Sequence, residues 1–185
     1  MPLSCTRASR RNSRRAERDE RARGCVGIAK SALADCAMRL RADNPQAGGC
    51  TTLEPVIAAT RGSFSSLSIE AEGCLDQAIG MAADNATIIF SHLADNASRH
   101  HAKSLRIRAC RSNNMISVTV ANDGEPIAAN HRDKIFTPFF TTRRETGGTG
   151  MGLEIVRSML RTHGGSIHLV ASEDGVTFLL TFPVA

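Results

Sequence analysis

The sequence predicts an α+β fold: a two-layer sandwich with a mixed, mostly antiparallel sheet and its helices on one face, preceded by a basic helical extension. Three observations point there. Segments that alternate apolar and polar residues come in pairs around turn residues, as antiparallel strands do. Stretches with apolar residues every three or four positions lie between the pairs, as in helices that bury one side. A strict strand-helix alternation, which marks a parallel doubly wound sheet, is missing.

The elements follow in chain order. Residues 1–14 read as a disordered basic tail. Residues 15–42 can be read as a helix with Val26, Ala29, Leu33, Ala37 and Leu40 on one side. Asn44-Pro45 and Gly48-Gly49 break that pattern, so 15–50 is a helical extension with its linker and 51–185 is the folded domain. A short helix is expected over 53–60 and a strand over 67–71. The best-defined helix spans 83–101, where Ala86, Ile89, Leu93 and Ala97 make an apolar face. Leu105-Ile107-Ala109 and Ile116-Val118-Val120 alternate on either side of Asn113-Asn114, a hairpin pattern. Ile167-Leu169-Ala171 and Val176-Phe178-Leu180-Phe182 do the same around Asp174-Gly175. A helix over 153–163 separates the two pairs, with Val156, Met159, Leu160 and His163 aligned and Gly164-Gly165 ending it.

Composition narrows the function classes. A chain of 185 residues suits one domain plus an extension. No apolar run approaches the length that crosses a bilayer, and the arginines at the start have no apolar core behind them, so a cytoplasmic protein without a secretory signal is expected. The net charge of +5 is uneven: residues 1–50 hold eleven Lys/Arg against five Asp/Glu, while 51–185 hold twelve against thirteen. Nucleic acid is disfavoured as a partner of the basic tail, because interleaved aromatics are absent and Glu17, Asp19 and Glu20 interrupt it. The cysteines at 5, 25, 36, 50, 74 and 110 form no CxxC pair and read as reduced thiols.

Four clusters could carry chemistry. On the long helix, His92, Asn96, Arg99 and His100 fall on one polar stripe, where an amide oxygen suits Mg²⁺ and an Arg suits phosphate; a solvated helix face has the same look. Asn122-Asp123-Gly124 follows a strand and lets a base approach the backbone, although a plain turn has this composition too. Phe136, Phe139 and Phe140 crowd a short stretch, either as a core plug or as an anchor for a mobile segment. Gly148, Gly150 and Gly152 open the last helix, where backbone N–H groups can meet phosphate oxygens. A dinucleotide loop is excluded there, since a polar loop and not a buried strand precedes it.

Taken in order, HLADNASRH, NDGEPI, FTPFFTT and GTGMGL resemble the Bergerat-fold ATPases of the gyrase, Hsp90, histidine kinase and MutL superfamily. Within it they are most similar to the catalytic domain of sensor histidine kinases, over residues 51–185. The resemblance implies an ATP and Mg²⁺ site. Asn96 corresponds to the Mg²⁺ ligand, with His92 beside it as a catalytic position where the family more often has Asn, and Arg99 and His100 lie on the phosphate side. Asn122 takes the place of the adenine-binding Asp, which keeps an acceptor and loses the charge, and Gly124 matches the family glycine. Ile127, Phe136, Thr142, Gly148, Thr149, Gly150, Met151, Gly152 and Leu153 complete the implied nucleotide contacts around a lid of 127–149.

The resemblance also implies partners: a phosphoacceptor hairpin bearing a His, a response regulator, and a homodimer if 15–42 stands for half of a dimerising hairpin. All six His, at 92, 100, 101, 131, 163 and 168, lie at or beyond the long helix, so the acceptor His is expected on another chain or a missing segment. Two alternatives stay open: an anti-sigma type protein serine kinase, against which the PFFTT stretch speaks, and a non-catalytic docking module.

Overall fold

The computed structural model describes residues 49–143, 148–172 and 174–185. Of the tail and extension expected over 1–50, residues 1–48 lie outside the described residues, as do residues 144–147 near the end of the expected lid. The described elements run α1 (Leu53–Ser63), β1 (Ser68–Gly73), α2 (Ala83–Arg99), β2 (Ser104–Ser112), β3 (Met115–Asn122), a 3₁₀ turn (Ala129–His131), α3 (Gly152–Thr162), β4 (Ser166–Val170) and β5 (Val176–Pro183).

The strands form one sheet in the order β1-β2-β3-β5-β4. Every neighbouring pair is antiparallel except β1 and β2, which run parallel with Ile69 beside Leu105. A parallel pair needs a crossover, and here α2 supplies it. The β2-β3 hairpin turns tightly through Asn113-Asn114, where Asn113 adopts φ 54°, a left-handed conformation that Asn tolerates better than most residues.

Alternation decides which side of the sheet is buried. Leu105, Ile107 and Ala109 of β2, Ile116, Val118 and Val120 of β3, and Phe178, Leu180 and Phe182 of β5 all point to one face. Against them lie Val56 and Ile57 of α1, Ala86, Ile89, Phe90, Leu93 and Ala97 of α2, and Val156 and Leu160 of α3. Phe90 stacks on Phe182 with ring centroids 6.5 Å apart, which joins the long helix to the last strand. On the opposite face Arg108 pairs with Glu72 at 2.6 Å; both are exposed, so the pair adds little stability.

Helices α2 and α3 run antiparallel, so the end of α2 lies beside the start of α3. The α2 apolar stripe runs through Ala97, after which His100 caps the helix by donating its N–H to Asn96 O at 3.1 Å. Asn85 and His163 approach to 3.5 Å and hold the start of α2 to the end of α3. As a result the C-terminal half of α2 faces the beginning of α3 across a cleft that the end of β3 closes at the bottom.

Candidate nucleotide site

That cleft has a volume of about 370 Å³. Its α2 wall carries His92, Asn96, Arg99 and His100, its floor carries Asn122, and its α3 wall runs from Gly148 to Leu153 with Thr142 above. Ile127 lies at its rim. The metal and nucleotide contacts implied by the resemblance therefore converge on one cavity, with two exceptions.

Gly124 is one exception. It is buried beneath α2, and a Cβ placed on it would lie 2.6 Å from the carbonyl oxygen of His100. Its glycine therefore permits β3 to pass close under the end of the helix instead of contacting the cleft. Phe136 is the other. Its ring meets Phe178 of β5 edge-on at 6.3 Å, and the Arg157 guanidinium lies over it at 5.8 Å. This ring anchors the segment to the core. Phe140, four residues later, reaches the cleft and meets the His131 ring at 5.4 Å; Phe139 is 66% exposed. Three phenylalanines in five residues thus do three different things.

The local chemistry is consistent with a polyanion. The first turn of α3 lines the cleft without a side-chain cap, and this is the positive end of the helix dipole. Arg99 is held one turn below Asn96 by an ion pair with Asp95 at 2.8 Å. Arg143 also lines the cleft. Burial, and then the charge of Arg143, hold the His100 imidazole below its ordinary range, partly opposed by Glu125, whose carboxylate lies 3.9 Å away. A neutral imidazole beside cations is the state that a nearby negative charge would most readily alter.

Asn122 and Asp123 turn to opposite sides, as successive strand residues must. Asn122, 7% exposed, accepts the Gly124 N–H on its Oδ1 at 3.0 Å. Asp123 faces outward and its Oδ1 accepts the N–H groups of Lys103 and Ser104 at 2.8 and 2.9 Å, which keeps its carboxyl below the usual range. The charge of the Asn-Asp pair is therefore spent on the entrance to β2 and kept out of the cleft.

Several lining residues escaped the sequence reading. Asp95 could have been found from its i,i+4 spacing to Arg99. His131 and Ile135 lie in an irregular segment with no period to betray them, and Val176 reads only as a strand residue.

An Asn amide oxygen, a helix N-terminus and arginines on one cleft form a donor set that fits a magnesium-bound triphosphate. Comparison with known proteins places the fold among ATPases. Residues 81–185 match the family model of the histidine kinase-, DNA gyrase B- and HSP90-like ATPases. The chain is 41% identical over 81 residues to the sensor histidine kinase ZraS of Escherichia coli (strain K12), and 30% identical over 99 residues to the alginate biosynthesis sensor protein KinB of Pseudomonas aeruginosa. These stretches cover 43% and 52% of this chain and 17% of each relative, so the chain spans about a sixth of the proteins it matches. Among solved structures, the nucleotide-free catalytic domain of histidine kinase ThkA is similar at a TM-score of 0.63 and 27% identity, covering 73% of this chain and 94% of that one. The fold is that of a histidine kinase catalytic domain, and the chain belongs to the family of histidine kinase-, DNA gyrase B- and HSP90-like ATPases.

Proposed function

We propose that the cleft binds Mg-ATP and that the chain acts as the ATP-binding catalytic domain of a two-component sensor histidine kinase, working in the cytoplasm. The observation that carries this reading is that Asn96 of α2 and the Gly148-Gly150-Gly152 approach to α3 line the same cavity. Asn96 would hold Mg²⁺ through its amide oxygen, with His92 beside it. When bound, the ion would neutralise triphosphate charge. Arg99, Arg143 and the α3 N–H groups would hold the phosphates in place, and Ile127 and Leu153 would cover the base and sugar.

The transfer itself is a positioning problem. A ring nitrogen of an acceptor His attacks the γ-phosphorus, the bond to the β,γ-bridging oxygen breaks, and ADP leaves with that electron pair. The acceptor belongs to a hairpin on another chain or segment, and a response regulator would take the phosphoryl group onward. Dimerisation through 15–42 would bring such a hairpin within reach.

Mg²⁺-dependent binding of a fluorescent ATP analogue tests this site without knowledge of the acceptor. The unaltered chain is expected to bind, and Asn96→Ala to lose at least about tenfold in affinity while remaining folded, since a metal-held phosphate contact contributes well over 1 kcal/mol. Absence of binding by the unaltered chain, or equal binding by both, overturns the reading.

A further inference from the structure

The end of β3 offers an unusual edge to a base. Because the Gly124 N–H can only donate, the Asn122 atom that meets it at 3.0 Å is the amide oxygen, and the remaining end of the side chain is the amino group. Among the described residues nothing accepts from Nδ2, and Asn122 lines the cleft. A carboxylate in the same rotamer would meet Gly124 with one oxygen and show a second acceptor to the ligand. Asn122 meets Gly124 in the same way and shows a donor.

No neighbouring carboxylate restores the acceptor. Asp123 is committed to Lys103 and Ser104 outside the cleft. Asp95 holds Arg99. Glu125, 64% exposed in its side chain, faces His100 and His101 at 3.9 and 3.7 Å. The walls around Asn122 that could meet a base, Ile127, Ile135 and Val176, are apolar and have no side-chain preference between one purine edge and another.

Resting on the nucleotide reading above, we infer that Asn122 sets base selectivity, and that the cleft takes 6-oxopurine nucleoside triphosphates as well as ATP. A 6-oxopurine offers its O6 acceptor to the Asn122 amino group. Adenine offers only N1 there, and its 6-amino group meets a donor instead of an acceptor. The preference for adenine that a carboxylate would impose is thereby removed.

ATP and ITP differ only at this edge and are the probes. With the full chain and Mg²⁺, affinities for both are measured by calorimetry on the unaltered protein and on Asn122→Asp, which keeps the acceptor that Gly124 needs. The two nucleotides are expected to bind the unaltered chain within about threefold of each other, and Asn122→Asp to shift the ratio toward ATP by about tenfold or more, the scale of one mismatched hydrogen bond. A preference for ATP above about tenfold in the unaltered chain, with the same ratio in Asn122→Asp, overturns the selectivity inference and leaves the nucleotide site standing. If neither nucleotide binds, both fall together.

Discussion

The backbone N–H of Phe139 donates to the carbonyl of Gly150 at 3.0 Å, so the chain departs from the body of the domain at Phe139 and is back at Gly150. Gly150 has φ 69°, and a Cβ added there would lie 2.5 Å from the Phe139 carbonyl carbon and 2.7 Å from the Phe140 oxygen. Gly150→Ala therefore has to break this closure. The left-handed backbone alone costs about 1 kcal/mol for a residue with a Cβ, and the clash adds to it. Nucleotide affinity is expected to fall by about tenfold or more with helix content unchanged, measured by calorimetry and circular dichroism.

The phenylalanines separate by effect. Phe136→Ala removes the edge contact with Phe178 and the surface under Arg157, and should destabilise the domain by about 1–3 kcal/mol in denaturant melts. Phe139→Ala, at an exposed position, should change stability by less than about 0.5 kcal/mol. Equal losses from both would show that Phe136 does not anchor the segment.

His100 should respond to the ligand. Burial and Arg143 keep its folded-state value below that of a free imidazole, so the folded chain binds fewer protons than the unfolded one and loses stability as pH falls through about 6.5. A triphosphate in the cleft adds negative charge beside the ring and favours the imidazolium. The His100 resonance should therefore titrate at higher pH with Mg-ATP than without it, and binding should take up a proton in the range where the ring titrates. An unchanged titration would place the phosphates elsewhere.

Asp123 behaves in the opposite sense. The N–H groups of Ser104 and Lys103 hold its folded value below the usual carboxylate range, so its contribution is present above about pH 4 and disappears as pH falls through the folded value. Asp123→Asn should melt at a lower temperature than the unaltered chain at pH 7, and the gap should close toward pH 3. A gap that persists in acid would mean that charge is not what holds the strand entrance.

Where a local period existed, the sequence was readable. The stripe of Ala86, Ile89, Leu93 and Ala97 and the alternation about Asn113-Asn114 each follow from one repeated spacing, and the structure has both. The parallel pairing of β1 with β2 joins residues 36 apart, Ile69 with Leu105, and no local pattern encodes which edge a strand takes. The same limit explains the site. Asn96 and His100 share a helix face and could be grouped from spacing, whereas the separate tasks of Phe136, Phe139 and Phe140 depend on an irregular backbone. That the Asn122 oxygen turns to Gly124 is likewise a matter of rotamer, which composition does not carry.

The two margins of the described domain meet in a small ladder: Thr51 bridges Ile79, Ile79 bridges Val184, and the Val184 N–H donates to Asn114 O at 3.0 Å. Asn114 precedes β3, whose far end is Asn122, so this junction and the base pocket stand at opposite ends of a strand roughly 24 Å long. Through this ladder a load on either margin of the described domain passes into the hydrogen-bonded sheet at the end remote from Asn122.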